Sequence, residues 1–259
     1  MKKISSLLVV LLLMLASFTA GVEYQRGDVD QNGQVGISDV TCLIDYLLTG
    51  TWPDEPVTPP DTHEYVDLGL PSGTLWATCN VGATAPEEYG DYFAWGETEP
   101  KEEYTWENYQ WCNGSDTTLT KYCIHNDYGY NGFVDGKTEL DPEDDAANVN
   151  WGPSWRMPTV GQLNELIDNC SWTWTTLNDV YGRLFTGPNG NTLFLPAAGH
   201  LGDNMLRSAN SDGLYWTRSL GNTGAYYALA LSFYSGGKQW WNIRRNCGLS
   251  VRAVRVSQN

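Results

Sequence analysis

The chain has 259 residues, 15 of them basic and 31 acidic, giving a net charge of −16, and it holds 12 Trp and 27 Gly. So large an acidic excess argues against a nucleic-acid ligand, because phosphate binding rests on clustered Lys and Arg. The aromatic content implies either a large β-rich core or exposed aromatic platforms. Residues 1–20 read as a secretory signal peptide: Lys2 and Lys3 supply the positive start, Leu7 to Leu15 are apolar throughout, and small residues lead to cleavage after Ala20 or Gly21. That run is too short to span a membrane, no second one follows, and no Cys stands close behind it. The expectation is a secreted or cell-surface protein with no membrane span and no lipid anchor.

Residues Asp28 to Asp39 (DVDQNGQVGISD) place oxygen donors at alternate positions. Asp28, Asp30 and Asn32 stand at loop positions one, three and five, the Gln34 backbone carbonyl at seven and Asp39 at twelve, while Gly33 permits the tight turn. A hard cation surrounded by oxygens fits this spacing, and Ca2+ is the expected ion. The competing reading is an Asx-rich turn that binds nothing. Behind the loop, Val40, Leu43, Ile44, Leu47 and Leu48 recur at helical spacing up to Gly50. The loop with its exiting helix resembles a dockerin repeat. Dockerins pack two such repeats together and bind cohesin modules, whereas residues 22–50 hold one, a half-dockerin. A short helix is marginal alone, so a cohesin-like partner, a second copy or the main domain is expected to cover Val40, Leu43, Ile44, Leu47 and Leu48.

Residues 51–62 carry Pro53, Pro56, Pro59 and Pro60 and read as a stiff extended spacer. Residues 63–259 read as one α+β domain, mostly β with one clear helix. A hairpin is expected from Tyr65 to Leu70 and Leu75 to Cys79 around Pro71-Ser72-Gly73. Residues 97–150 lack periodicity and read as loops; within them Glu139 to Asp145 form a solvated acidic stretch, with a second metal site as the alternative. Thr159 is the expected N-cap of the helix, Gln162 completes a capping box, and Leu163, Leu166, Ile167 and Cys170 share one face. Val180 to Thr186 and Thr192 to Pro196 flank the turn signal Gly187-Pro188-Asn189-Gly190. Leu214 to Arg218 is a short strand, and Tyr227, Leu229, Leu231 and Phe233 alternate with Ala228, Ala230 and Ser232 as in a half-buried strand. Ser235-Gly236-Gly237 then turns the chain into Lys238 to Cys247, and Leu249 to Val256 is the closing strand.

Six Cys in an exported chain permit disulfides, and Cys112 with Cys123 could close a short loop, yet buried free thiols are an equal alternative. With no CxxC and three His, a zinc site has no support. From Asn204 onward stand seven basic residues and one acid, Asp212; this end is expected to pair with the acidic first half inside the fold, the alternative being an anionic ligand site.

Four strings carry a family resemblance: YVDLGLPSGTLWATCNVGA at 65–83, EEYGDYFAWGE at 87–97, DDAANVNWGPSWRMPT at 144–159 and GLSVRAVR at 248–255. Together they resemble the Fibrobacter succinogenes major paralogous domain, over about residues 64 to 256. The resemblance implies a C-type-lectin-like fold related to that of formylglycine-generating enzymes, with the Trp155–Thr159 string, the helix behind it and a closing Gly-x-x-Val-Arg strand as shared features. It implies export and ligand binding or surface display. The paired catalytic cysteines of the formylglycine-generating enzymes have no match, since Cys247 stands alone near the C-terminus. The expectation is a non-catalytic protein, with an accessory or hydrolase role in extracellular polysaccharide breakdown as the alternative.

The candidate ligand surface is KQWWNIRRNC at 238–247. Trp240, Trp241, Asn242, Arg244, Arg245 and Asn246 offer aromatic faces beside polar groups, and Tyr226, Tyr227 and Tyr234 precede them. Such mixtures suit glycans and surface-protein epitopes alike. Strand alternation lets only about half of them face one way, so one of the two Trp is expected to be core. The stretch also resembles the variable region of retroelement-diversified binding proteins, in which Tyr226, Asn242, Arg244 and Asn246 would be the variable positions.

Overall fold

The computed structural model describes residues 37–49 and 63–256. They belong to two units, divided after Pro60. In the first, helix α1 (Ile37–Thr49) starts ahead of Val40, so Asp39 falls within its first turn. Val40, Ile44, Leu47 and Leu48 are exposed, Leu43 is half-buried and Cys42 is buried. Asp28, Asp30, Asn32 and Gln34 of the calcium loop, the signal peptide and the Pro-rich spacer lie outside the described residues.

The second unit is a mostly β, α+β domain in which every paired strand is antiparallel. Strands β1 (Tyr65–Asp67) and β2 (Thr74–Ala77) form the expected hairpin, shorter than the sequence implies. Next come helices α2 (Ala146–Trp151) and α3 (Val160–Asn169), then β3 (Ser171–Leu177), β4 (Val180–Thr186) and β5 (Thr192–Pro196). Short β6 (His200–Gly202) and β7 (Met205–Arg207) precede the long β8 (Asp212–Leu220), β9 (Tyr227–Tyr234) and β10 (Gly237–Arg244), and β11 (Val254–Val256) closes the domain. The sheets run β1-β2-β11, β3-β4-β5, β10-β9-β8 and β6-β7. The closing strand is three residues rather than eight; Gly248, Leu249 and Ser250 contribute only isolated bridges.

Helix α3 begins as its sequence dictates. Thr159 Oγ1 accepts from Gln162 N at 3.1 Å, and Gln162 Oε1 accepts from Thr159 N at 3.0 Å. These bonds satisfy two amides that the first turn leaves unpaired. Leu163, Leu166, Ile167 and Cys170 are buried.

Strand β9 departs from the half-buried expectation because both of its faces are covered. Ala228 and Ala230 lie in one core with Trp95, Trp155 and Trp216. Leu231 and Phe233 lie in a second with Trp76, Leu166 and Phe185. Small Ala side chains suit the first core because bulky indoles already fill it. Trp95 Nε1 donates to the Thr217 carbonyl and Trp216 Nε1 to the Phe93 carbonyl, at 2.9 and 2.7 Å.

Residues 97–150 are irregular, as expected, but not loosely held. Asp145, buried, caps α2 by accepting from Ala147 N and Asn148 N and ties the chain back by accepting from Met157 N. Asp141, Glu143 and Asp144 surround Lys121 Nζ at 2.9, 3.6 and 2.6 Å. The acidic stretch is thus solvated only in part: Glu139 and Glu143 are exposed while Asp144 and Asp145 are buried, and its charges are met by Lys121, by Lys137 on Asp141 and by Arg218 on Glu139. Among the described residues no group of His, Cys, Asp or Glu could hold a metal ion. No described helix is long and apolar enough to cross a membrane.

Candidate functional site

The site starts from a buried cation. Arg245 is 0% exposed. Its guanidinium donates to Tyr109 Oη (2.9 Å) and to the carbonyls of Lys121 (3.0 Å), Tyr122 (3.2 Å) and Ala225 (3.0 Å). The rings of Trp95, Tyr109 and Tyr122 lie 5.0, 5.3 and 5.8 Å from it. A planar fork of fixed donors suits this clustering of acceptors from distant segments. The Arg245 amide in turn donates to the Tyr226 carbonyl at 3.0 Å. Arg245 thereby fixes Ala225 and Tyr226 against the irregular segment.

On this base sits a small apolar floor of Leu119, Cys123 and Ala225, against which Trp106, Tyr128 and Tyr226 pack. Two turns rise beside it. In one, Asn108 Oδ1 accepts from Thr105 N and its Nδ2 donates to the Glu103 carbonyl, presenting Trp106 and Glu107. In the other, Thr118 Oγ1 accepts from Ser115 N and donates to the Ser115 carbonyl. That closure places Gly114, Ser115 and Asp116 at the rim.

With Tyr226, Tyr227 and Arg244, these two turns line an open cleft of about 420 Å³. The size falls within the range of small-ligand sites. The Tyr226 and Tyr227 rings are 4.3 Å apart, and the Tyr128 ring lies 5.1 Å from that of Tyr226. The hydrogen bond with Tyr227, then burial and the nearby phenols and Asp116, push the Tyr226 hydroxyl pKa up. Arg244 is exposed and, among the described residues, makes no salt bridge; neither do Glu107 and Asp116. Aromatic rings, two carboxylates and one guanidinium thus share the lining of one cleft.

The residues singled out from sequence divide sharply. Tyr226 and Arg244 line the cleft. Trp241 and Tyr234 are 40% and 41% exposed but lie outside its lining. Trp240 packs on the second core and is the inward Trp of the pair. Asn242 Oδ1 accepts from Asn222 N at 3.0 Å and so holds the turn ahead of β9. Arg245 and Asn246 are buried and are structural rather than ligand-facing; Asn246 Nδ2 donates to the Tyr104 carbonyl. Burial also makes Asn246 unsuited to be an exposed variable position.

The basic C-terminal end does not chiefly meet the acidic first half. Arg218 reaches Glu139 and Arg207 a local Asp203, at 3.5 and 3.2 Å. Arg252, 1% exposed, donates to Asn80 Oδ1 and to the carbonyls of Ala77 and Thr78. Carbonyl oxygens and ring faces, rather than carboxylates, hold the buried arginines.

Cys112 and Cys123 do not close a loop. Cys112 Sγ donates to the Trp106 carbonyl at 3.0 Å and Cys123 Sγ to that of His125 at 3.1 Å. Burial raises the pKa of both thiols and takes Cys247 to about 11, which leaves little reactive thiolate.

Sequence reading missed Trp106, Glu107, Gly114, Ser115 and Asp116. The available signals were the density of Trp and Tyr from Tyr104 to Trp111 and the Asn113-Gly114-Ser115 turn signal. Searches against protein families, curated proteins and solved structures found no match to the chain.

Proposed function

We propose that this is an exported, non-catalytic glycan-binding protein whose ligand lies in the cleft between the Trp106–Asp116 turns and the Tyr226–Arg244 surface. The observation that carries the reading is the lining itself: Trp106, Tyr226 and Tyr227 beside Glu107, Asp116 and Arg244, with the charged groups in no salt bridge among the described residues. Sugar rings present apolar faces to aromatic side chains, and their hydroxyls both donate and accept, so they satisfy carboxylate and guanidinium together. We further propose that the domain is a member of the Fibrobacter succinogenes major paralogous domain family with a C-type-lectin-like fold. Helix α3 behind Trp155–Thr159, and buried Val251 and Arg252 just ahead of β11, support that assignment.

The test is calorimetry of the full chain against neutral, amino and acidic oligosaccharides, with Tyr226→Ala and Trp106→Ala as variants. Binding is expected to weaken at least about tenfold in each, since a stacked aromatic ring contributes on the order of 1–2 kcal/mol. Binding that is absent, or unchanged in both variants, rejects the reading. Hydrolysis is the second reading, favoured by the two carboxylates that share this cleft. It requires turnover of a bound glycan that Glu107→Gln or Asp116→Asn abolishes.

The N-terminal segment is proposed to bind Ca2+ through Asp28, Asp30, Asn32, Gln34 and Asp39 and to dock through the apolar face of α1. The exposure of Val40, Ile44, Leu47 and Leu48 supports docking to a cohesin-like module or a second copy. Asp28→Ala with Asp30→Ala is expected to abolish calcium binding by the full chain, measured by titration calorimetry.

A further inference from the structure

We propose that the cleft prefers glycans bearing a free amino group, such as glucosamine units, over N-acetylated, neutral or uronate counterparts. This inference rests on the glycan reading above. The lining carries two carboxylates, Glu107 and Asp116, against one guanidinium, Arg244. None of the three makes a salt bridge with a described residue, so the acidic excess is not cancelled locally. Asp116 stands close enough to Tyr226 to act on its hydroxyl, so one of the two carboxylates lies beside an aromatic ring of the cleft.

Tyr226, Tyr227 and Trp106 add ring faces, whose negative quadrupole attracts an ammonium group. Glu107 and Asp116 flank those rings in sequence or space and supply the full charge. The chain's net charge of −16 adds a long-range field that concentrates cationic ligands at the surface. Arg244 is left to donate to hydroxyl or ring oxygens of the adjoining sugar unit. A uronate would gain Arg244 but meet two carboxylates and the field of the whole chain. An N-acetylated unit keeps the ring contacts and loses the charge.

The experiment titrates the full chain with a glucosamine oligomer, its N-acetylated form, a neutral β-glucan oligomer and a uronate oligomer. It is run at low salt, at a pH where the sugar amine is protonated. The glucosamine oligomer is expected to bind tightest, by about fivefold or more, as a partly exposed pair of charges allows, with the lead shrinking as salt is added. Asp116→Asn and Glu107→Gln should each weaken binding of the glucosamine oligomer by a larger factor than binding of the N-acetylated one, so that the lead shrinks, because the ammonium loses a full charge whereas the hydroxyls keep an amide oxygen as acceptor. Two variants guard against one that fails to fold, which a thermal melt detects. No lead for the amine, a lead unchanged in both folded variants, or tightest binding of the uronate overturns this inference alone. Binding of none of the four overturns the glycan reading as well.

Discussion

Two parts of the domain are held together by different physics. The sheet β10-β9-β8 is knitted by long antiparallel ladders and sandwiched between two apolar cores. The segment from Thr105 to Asp145 has almost no ladder. It is tied instead by buried or partly buried charge: Arg245 gathers the Lys121, Tyr122 and Ala225 carbonyls, and Lys121 gathers Asp141 and Asp144. The sheet fails when volume is removed, whereas the irregular segment fails when a donor or a charge is removed. The cleft lies where the two parts meet, so rigidity on one wall and polar anchoring on the other both shape it.

Phe233→Ala should have the largest effect on the sheet. Phe233 is fully buried, with the Tyr215 ring stacked 5.7 Å away and the Arg183 guanidinium 5.3 Å from its ring. The expected loss of stability is about 4 kcal/mol, read from denaturant unfolding, and it should unfold both parts together. Arg245→Ala should cost about 3 kcal/mol, because each buried acceptor left without a donor costs on the order of 1 kcal/mol. It should also abolish ligand binding, and Arg245→Lys should restore little, since an ammonium cannot span the same four acceptors. If Arg245→Ala leaves amide exchange in residues 105–145 unchanged, the distinction between the parts falls.

Thr159→Ala removes one capping hydrogen bond and should cost about 1 kcal/mol, with the cleft and ligand affinity unaffected. The smallest effect is acid sensitivity confined to the irregular segment. The hydrogen bond from Lys137, with Lys121 behind it, outweighs burial and holds the Asp141 carboxyl below its ordinary value of 3.8. A depressed carboxyl stabilises the fold fully above that ordinary value and loses its contribution as pH falls through the folded one. Lowering the pH below 3.8 should therefore speed amide exchange near Asp141 before it does so in β8, β9 and β10.

Legibility followed locality. Thr159 and Gln162 are three residues apart and form the capping box that their spacing implies. The turn at Gly187 to Gly190 joins β4 and β5 over the strand bounds expected. Period-two alternation located β9 but misjudged its surroundings, because alternating Leu and Ala looks the same whether the Ala face meets water or a layer of indoles. Helix α2 escaped notice because its six residues are set by Asp145, whose side chain reaches both the helix start and Met157. The wall formed by Trp106, Glu107 and Asp116 escaped for a similar reason: side-chain-to-backbone turns leave no period to count.

By itself the sequence determined the local features: where α3 starts, where the hairpins turn, and which stretches alternate. These depend on neighbours a few residues apart and on the intrinsic preferences of Thr, Gly, Pro and the apolar residues. Only the tertiary structure decided the fates of Arg244 and Arg245. They are adjacent and chemically identical, yet one is exposed at the cleft and the other is buried beneath it. What separates them is a set of acceptors from Tyr109, Lys121, Tyr122 and Ala225, three of which lie more than a hundred residues away. A buried guanidinium is tolerated only where such acceptors converge, and folding alone brings them together.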